Sequence, residues 1–267
     1  MQHPHRPTAA ERARTLAAGL LVGALTAPGP REPIPVGCVT DDDGVTAILV
    51  REGPERAALG LAFGTDARED RHSDVDLPAV LDILDAPLGP DAPPRARLWL
   101  SGWLRAVPAR RARGLALAYA ARRPVGALLD VNDGCALYLL EPEEVRLTSG
   151  DGLSDVDLDE YLAARPDPLH AVEHALLADL AERWPDELTA LAATALRAPA
   201  VGAGGDLGQV HPVGLDRYGL DLAYRRGHWF HRVRVPFDEP VDDEAGALAA
   251  VRALTKGSGH GANVRAR

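Results

Sequence analysis

Lysine is nearly absent from this chain of 267 residues: Lys256 is the only one, and arginine supplies the other basic side chains. This bias is typical of a GC-rich genome and favours an actinobacterial source over a functional demand for guanidinium groups. Basic residues are also in the minority, because 39 acidic side chains outnumber 29 basic ones and the net charge is −10. Since a field of that sign repels phosphate backbones and anionic bilayers, we expect neither a nucleic acid nor a membrane as partner.

Aromatic residues and cysteines are scarce as well. Aromatics make up 4% of the chain, so aliphatic side chains must fill the core. Two isolated cysteines, Cys38 and Cys135, supply neither a disulfide framework nor a zinc-binding quartet. Each lies in a strand-like run, where a thiol behaves as a small buried hydrophobe. We therefore expect a reducing compartment, the cytoplasm.

Long apolar runs are missing too, since none reaches the roughly eighteen residues that a membrane-spanning helix needs. The stretch from Leu16 to Leu25, preceded by Arg12 and Arg14, loosely imitates a secretory signal. Against that alternative, Thr8-Ala9-Ala10-Glu11 is a capping box that starts a helix, and the apolar run continues into a hairpin pattern.

The first 150 residues are rich in strand patterns and poor in helices. One helix is expected from Thr8 and one from Pro108 to Arg123, while residues 51–76 are predicted to be a loop with one short strand near 59–63. No βαβ alternation occurs, so a doubly wound nucleotide-binding sheet is not predicted. The pattern instead predicts an antiparallel barrel of six to seven strands. The predicted strands are residues 20–26, 34–40, 45–50, 79–84, 95–107, 125–131 and 135–140, with 145–148 extending the last.

The strand at residues 95–107 is apolar on both faces. Leu98, Leu100 and Leu104 alternate with Trp99 and Trp103, so each face carries large apolar side chains. This pattern fits a barrel wall whose outer face meets a helix or a dimer partner.

The pattern changes after residue 150. Residues 151–166 are predicted to be an acidic linker with a short helix, and residues 167–256 a small α/β domain with two helices, a β-hairpin ribbon and a C-terminal helix. Residues 257–267 are expected to be a frayed tail. The glycine-rich stretch 202–208 follows a helix and precedes a strand, the reverse of a phosphate-binding loop, so it is interpreted as a flexible connector. The fold class is therefore α+β.

Six segments form a recognisable set. They are Asp167-Pro168-Leu169, Pro185-Asp186-Glu187-Leu188, Gly214 to Leu222 and Val233 to Val241 in the last third, with Leu98 to Leu104 and Pro124 to Val131 in the barrel half. Together they resemble the haem-utilisation (HugZ-like) and pyridoxamine-phosphate-oxidase-like FMN-binding split-barrel family, including its appended α/β domain of unknown function. The resemblance implies a split barrel, a homodimer, and haem or a flavin (FMN) as ligand.

The resemblance also defines two functional hypotheses. An active enzyme would be haem oxygenase-like or a flavin-dependent oxidoreductase. However, Arg51 to Gly60 stands where ligand-binding relatives carry polar contacts, and Ala181, Arg183 and Trp184 stand where many carry an Asn, Asp and His cluster. These departures motivate the alternative, a dimeric binding or regulatory protein without a cofactor that acts through contacts with a protein partner.

Six side chains are candidates for holding the cofactor. Arg95, Arg97 and Arg105 mark the ends of the long strand, where split barrels place guanidinium groups toward a phosphate. Histidines could reach a propionate or phosphate, ligate haem iron or stack on a flavin. The candidates are His72 in the acidic loop and His228 and His231 beside Trp229-Phe230.

One motif suggests a different class of protein. The segment from His170 to His174 contains His170, Glu173 and His174 in the His-x-x-Glu-His order of inverse zincins, in which two histidines one helical turn apart hold zinc. A zinc hydrolase is therefore a third hypothesis, weighed against a solvated helix face.

Overall fold

The computed structural model describes residues 6–64, 75–86, 95–196, 208–226 and 229–260. The chain divides into two compact units that meet in sequence at Pro166 and Asp167. Within the described ranges, no helix has the length and apolar character required to cross a bilayer.

The first unit is a closed antiparallel barrel, which confirms the predicted fold class. Its strands are hydrogen-bonded in the order β3-β2-β1-β4-β5-β6, and β3 pairs back with β6 to close the wall. A seventh strand, β7, extends the sheet beside the second half of β6. The strands are β1 (Val22–Thr26), β2 (Ile34–Thr40), β3 (Thr46–Arg51), β4 (Leu77–Asp85), β5 (Ala96–Ala106), β6 (Cys135–Ser149) and β7 (Gly152–Val156).

Aliphatic side chains fill the barrel, as the scarcity of aromatics predicts. Leu25, Leu81, Leu98, Leu100 and Leu140 are all fully buried in one cluster. Helix packing completes this core, since buried residues of the first helix, and a tyrosine of the fourth, belong to the same cluster. The helices of this unit are α1 (Ala9–Ala17), α2 (Pro54–Ala62), α3 (Ala109–Arg122) and α4 (Leu158–Ala163), with a short 3-10 helix at Gly126–Asp130.

The segment at residues 51–76 differs from the prediction, because the short strand expected near 59–63 is part of α2. Pro54 lies at the first turn, where its missing N–H costs nothing. Leu59 and Phe63 lie four residues apart and are both buried in the barrel core. This helical spacing of the buried side chains decides the local structure.

The strand expected at residues 125–131 is also wrong, since Gly126–Asp130 is the 3-10 helix. From Tyr138 to Leu140, β6 pairs with β3 on one edge and with β5 on the other. The predicted hairpin with residues 125–131 therefore cannot extend along β6, and only the single bridge between Val131 and Cys135 forms.

Residues 151–166 form ordered elements where a linker was expected. Strand β7 pairs with β6 from Val145↔Val156 to Ser149↔Gly152. The short helix is present as α4, and its Tyr161 is fully buried in the barrel cluster. These residues therefore belong to the barrel unit.

The second unit has the predicted ααβββα order. Its three-stranded antiparallel sheet has the order β10-β9-β8, and its core joins apolar side chains of the sheet and of three helices. The last helix extends to His260, into the segment expected to be a frayed tail, and most of the predicted 202–208 connector lies outside the described residues. The elements are α5 (Glu173–Arg183), α6 (Pro185–Leu196), β8 (Val210–Asp216), β9 (Gly219–Arg226), β10 (Trp229–Pro236) and α7 (Glu244–His260).

Candidate functional site

The outer side of strands β4 and β5 is the candidate site, and it is called the β4–β5 face below. Alternate residues of each strand point into the barrel core, so the residues between them point outward. The predicted strand with two apolar faces is thus buried on its inner side only. The outward residues are Pro78, Val80, Asp82 and Leu84 of β4 and Arg97, Trp99, Ser101, Trp103 and Arg105 of β5.

Large apolar side chains on this face remain exposed. Trp103 keeps 41% of its surface accessible and Leu84 keeps 44%. Trp99 is half-buried, and the guanidinium carbon of Arg97 lies 4.8 Å from its ring centroid. A tryptophan-bearing strand surface of this kind suits a flat apolar ligand or a second protein surface.

Gly102 lies between the two tryptophans, where the pairing of β5 with β6 shifts by one residue. The register with β6 shifts between Ser101 and Gly102, which marks an irregularity in the strand. A Cβ atom on Gly102 would lie 1.9 Å from the carbonyl oxygen of Glu141. Only glycine fits this close backbone approach, which brings Trp103 opposite Glu141 in the register.

Arg105 is held between two carboxylates at one end of the face. Its Nε and Nη2 donate to the two carboxylate oxygens of Asp76 at 3.0 and 2.9 Å, and its Nη1 donates to Oε1 of Glu141 at 3.1 Å. These hydrogen bonds from Arg105 lower the pKa of Asp76 from its ordinary value of 3.8. The side chain of Arg105 is still 42% exposed.

The other two candidate arginines also have carboxylate partners. Arg97 donates from Nε to Oδ1 of Asp82 at 2.8 Å and makes a second contact with the same carboxylate. Arg95, just before β5, donates from Nε and Nη2 to Oδ1 of Asp85, which is 8% exposed. Each described candidate guanidinium is therefore at least partly neutralised by an acidic neighbour.

The arginines do not converge on one point. Arg97 and Arg105 are eight residues apart on β5, which corresponds to roughly 26 Å along a strand. They share a face, as the alternation of the sequence predicts, but they cannot hold a single phosphate together. The face instead offers aromatic surface with a guanidinium toward each end.

The candidate histidines lie elsewhere or outside the described residues. His72 and His228 are among the residues that the structure does not describe. His231 is on β10 in the second unit, exposed, with its ring stacked on Tyr224 at 5.4 Å between centroids. The described part of the barrel unit contains no histidine at all.

The zinc motif is not arranged as that hypothesis requires. Helix α5 begins at Glu173, so His170 lies in the preceding turn and only His174 is helical. Glu173 accepts the backbone N–H of Leu215 at 3.1 Å, which fastens the helix start to β8. Across the described ranges, no group of three or more His, Cys, Asp and Glu side chains is placed to hold a metal ion.

The motif residues at the start of the second unit have structural roles of the same kind. The carboxylate of Asp167 accepts the backbone N–H of Leu169 at 2.8 Å and that of Arg217 at 2.9 Å. Asp216 accepts the N–H of Tyr218 at 2.8 Å. The segments that carry the resemblance therefore hold the β8–β9 turn to the chain before α5.

Sequence reasoning missed the acidic side of the site. The spacing of Asp76, Asp82 and Asp85 does not show that they share a face with the arginines. Which arginine each aspartate meets depends on how β4 pairs with β5. A buried cation is a second feature that the sequence does not predict, because Arg14 stands in a stretch that resembles the flank of a secretory signal. Arg14 is 3% exposed and its Nη2 donates to the carbonyl of Asp41 at 2.7 Å.

Comparison with known proteins supports the fold. No protein-family model matches the sequence, and no curated protein sequence matches it. Among solved structures, a haem binding protein from Mycobacterium smegmatis is 24% identical, with a TM-score of 0.62, and the match covers 96% of this chain and 99% of that one. The split barrel with an appended α/β unit, expected from the sequence motifs, is therefore confirmed as the fold.

Two other solved structures match less well. The protein Atu2129, of unknown function, from Agrobacterium tumefaciens is 18% identical over 95% of this chain and 100% of that one, with a TM-score of 0.42. An FAD and haem binding protein from Mycobacterium smegmatis is 18% identical over 59% of this chain and 78% of that one, with a TM-score of 0.36.

Proposed function

We propose that this protein binds haem and that the β4–β5 face is the binding surface. The observation that carries the proposal is the exposed Trp103 beside the half-exposed Arg105, on a barrel whose fold along nearly the whole chain is that of a haem binding protein. A porphyrin presents a broad apolar face and two carboxylates, and this surface offers aromatic area and a guanidinium. Bound haem would supply iron for redox chemistry, while the chain would orient the macrocycle.

Haem fits these residues better than FMN does. The phosphate of FMN is a concentrated dianion that is best held by several converging donors. Arg97 and Arg105 are separated along β5, and each already has a carboxylate partner. A propionate carries a single charge and could share the exposed guanidinium of Arg105, so the residues present favour the porphyrin.

His72 is the residue proposed to ligate the iron. It is the only histidine in the sequence between Arg6 and Leu169, so the barrel unit offers no other imidazole. Cys38, an alternative soft ligand, is fully buried, and desolvation by burial raises the pKa of its thiol to about 12. A thiolate at that position is strongly disfavoured at neutral pH.

We further propose that the protein is a homodimer in which the β4–β5 face meets the partner subunit. Among the described residues of the barrel unit, the helix that covers an outer face is α3, and it packs on β2, β3 and β6 and not on the β4–β5 face. Trp103 and Leu84 are exposed on this face, and large apolar side chains, tryptophan in particular, are common at the centres of protein–protein interfaces.

Titration with haemin and with FMN tests the proposal. We expect a shifted Soret band that saturates at one haem per subunit, with no retention of flavin on gel filtration. Trp103→Ser should weaken haem binding at least tenfold, while Trp229→Ser, which removes an exposed tryptophan of the second unit, should leave it unchanged. His72→Ala should keep binding but alter the spin-state bands. Unchanged affinity in Trp103→Ser would refute the assigned surface.

A second function is favoured by the carboxylate partners of the arginines. If the three arginine–aspartate pairs only shape a protein surface, the chain is a cofactor-free regulatory protein that docks a partner through the β4–β5 face. The purified protein would then show no haem binding by absorbance, and Trp103→Ser would abolish a stoichiometric complex recovered from native lysate. Saturable haem binding at this face would favour the first function.

A further inference from the structure

The sheet of the second unit has two edge strands, β8 and β10, with β9 between them. Edge strands present backbone donors and acceptors that can pair with another extended chain, so proteins usually block them. The two edges of this sheet differ in how far they are blocked.

The β8 edge is protected in three ways. Pro212 has no N–H to offer, and the register with β9 shifts between Pro212 and Gly214, which disrupts the strand. The side chain of Glu173 accepts the N–H of Leu215. A second strand could not add along this edge without breaking that contact.

The β10 edge is regular. All eight residues from Trp229 to Pro236 pair with β9 in one uninterrupted register, with the only proline at the last position. In the described part of the chain, β9 is the one strand neighbour of β10. This edge is therefore long and regular enough for another strand to pair with it.

The charge around β10 indicates what kind of strand would fit. Arg225 and Arg232 are exposed on the β9–β10 hairpin, in a chain whose net charge is −10. Arg234 is different, because its side chain is only 7% exposed and is paired with Asp216 and Asp221. Trp229 keeps 76% of its surface accessible. Pairing of β10 with β10 of a second copy would bring these arginines together, which like-charge repulsion disfavours. An acidic strand is complementary.

A groove lies beside the far end of the same strand. It has a volume of about 410 Å³ and runs between α6, the end of β10 and α7, with Leu191, Val235 and Leu254 among its lining residues. Most of its wall is apolar. A strand added to β10 would extend toward it, so an apolar side chain of that strand has a place to bind.

We propose that β10 binds an extended acidic segment of another protein by strand addition. The backbone of the segment pairs with the β10 edge, a carboxylate of the segment faces the exposed Arg232, and one apolar side chain enters the groove. This interaction is independent of haem binding, because it uses only residues of the second unit.

A labelled peptide, Val-Asp-Val-Glu-Val-Asp-Val-Glu, tests the proposal by fluorescence anisotropy with the full chain. We expect saturable binding that weakens with added salt and is lost when lysine replaces every acidic residue. N-methylation of alternate peptide amides separates strand addition from simple charge attraction. Methylation of one alternate set should abolish binding, and methylation of the other set should leave it intact.

Matched charge reversals locate the site on the protein. Arg232→Glu should weaken peptide binding roughly tenfold, the effect expected when a favourable cross-strand charge pair becomes a repulsive one. Arg110→Glu, which makes the same charge change on α3 of the barrel, should have no effect. Equal binding of both N-methylated peptides, no binding at millimolar concentration, or equal losses in the two variants would overturn the proposal. The proposal would also be overturned if sedimentation showed that the peptide dissociates a dimer of the chain, because the β10 edge would then bind a second copy.

Discussion

Two outer faces of the barrel wall arise from the same alternation of inward and outward side chains. One is covered by a helix and the other is exposed. On the first, α3 covers the outward residues of β2, β3 and β6, and Tyr119 of α3 is 1% exposed against Val39, Leu49 and Leu137. On the second, the β4–β5 face, Trp103 remains 41% exposed. An aromatic side chain on the first face stabilises the fold, whereas one on the second is available for binding.

The comparison extends to charge. The α3-covered face is a small apolar cluster, while the β4–β5 face carries arginines paired with aspartates and a glutamate. Exposed ion pairs contribute little to stability, because water already solvates both partners well. These pairs therefore add little to the stability of the uncovered face.

Loss of the covered aromatic should have the largest effect. Tyr119→Ala removes a buried ring and should lower the free energy of unfolding by about 3–5 kcal/mol. Trp103→Ala should lower it by about 1 kcal/mol or less in the monomer, because much of that ring is already in water. Urea denaturation of the two variants at a concentration where the protein is monomeric measures the difference.

Tyr119→Phe provides the control for that pair. The hydroxyl of Tyr119 is buried and has no hydrogen-bond partner in the described structure, and burial raises its pKa to about 12. Removing an unsatisfied buried hydroxyl should leave stability unchanged or slightly higher. A loss in Tyr119→Phe comparable with that in Tyr119→Ala would mean that the hydroxyl, and not packing, matters at this position.

Two glycines allow the same comparison for the backbone. Gly102→Ala places a Cβ atom 1.9 Å from the carbonyl oxygen of Glu141, so β5 and β6 must separate. We expect a loss of about 2–3 kcal/mol, in the range of overpacked sites. Gly114→Ala on α3 has no atom within 4 Å of the new Cβ and should gain about 0.5–1 kcal/mol. Thermal unfolding of both variants gives the sign of each effect. Equal losses would contradict the different surroundings of Gly102 and Gly114.

Much of this fold follows from local signals in the sequence. The alternation of Leu98, Leu100 and Leu104 predicts which side of β5 enters the core, and the turn Asp41 to Gly44 predicts the hairpin between β2 and β3. The ααβββα order of the second unit follows in the same way. These elements are determined by residues close together in the chain.

The misassigned elements depend on distant parts of the molecule. Residues 125–131 have a strand-like composition, but from Tyr138 to Leu140 both edges of β6 are already paired. Leu59 of α2 and Phe63, which follows the helix, lie in the uncharged run from Ala57 to Phe63. Leu61 in that run is 70% exposed, so the run itself does not show which of its residues are buried together. The site shows the same division, because alternation predicts that Arg97 and Arg105 share a face, while their partners Asp82 and Asp76 follow from the register with β4 and the end of that strand.

The smallest predicted effect concerns the pH response of the uncovered face. Hydrogen bonds from Arg105 lower the pKa of Asp76 below 3.8, its ordinary value and the one it regains on unfolding. The ionised pair therefore adds stability above about pH 4, and this contribution is lost as the pH falls through the lowered pKa. Since both side chains are exposed, it should not exceed about 1 kcal/mol. Asp76→Asn should cost that amount at pH 7 and progressively less as the pH falls below 3.8, measured by urea denaturation across that range. A cost that does not change with pH would come from the shape of the β4 start and not from the charge of Asp76.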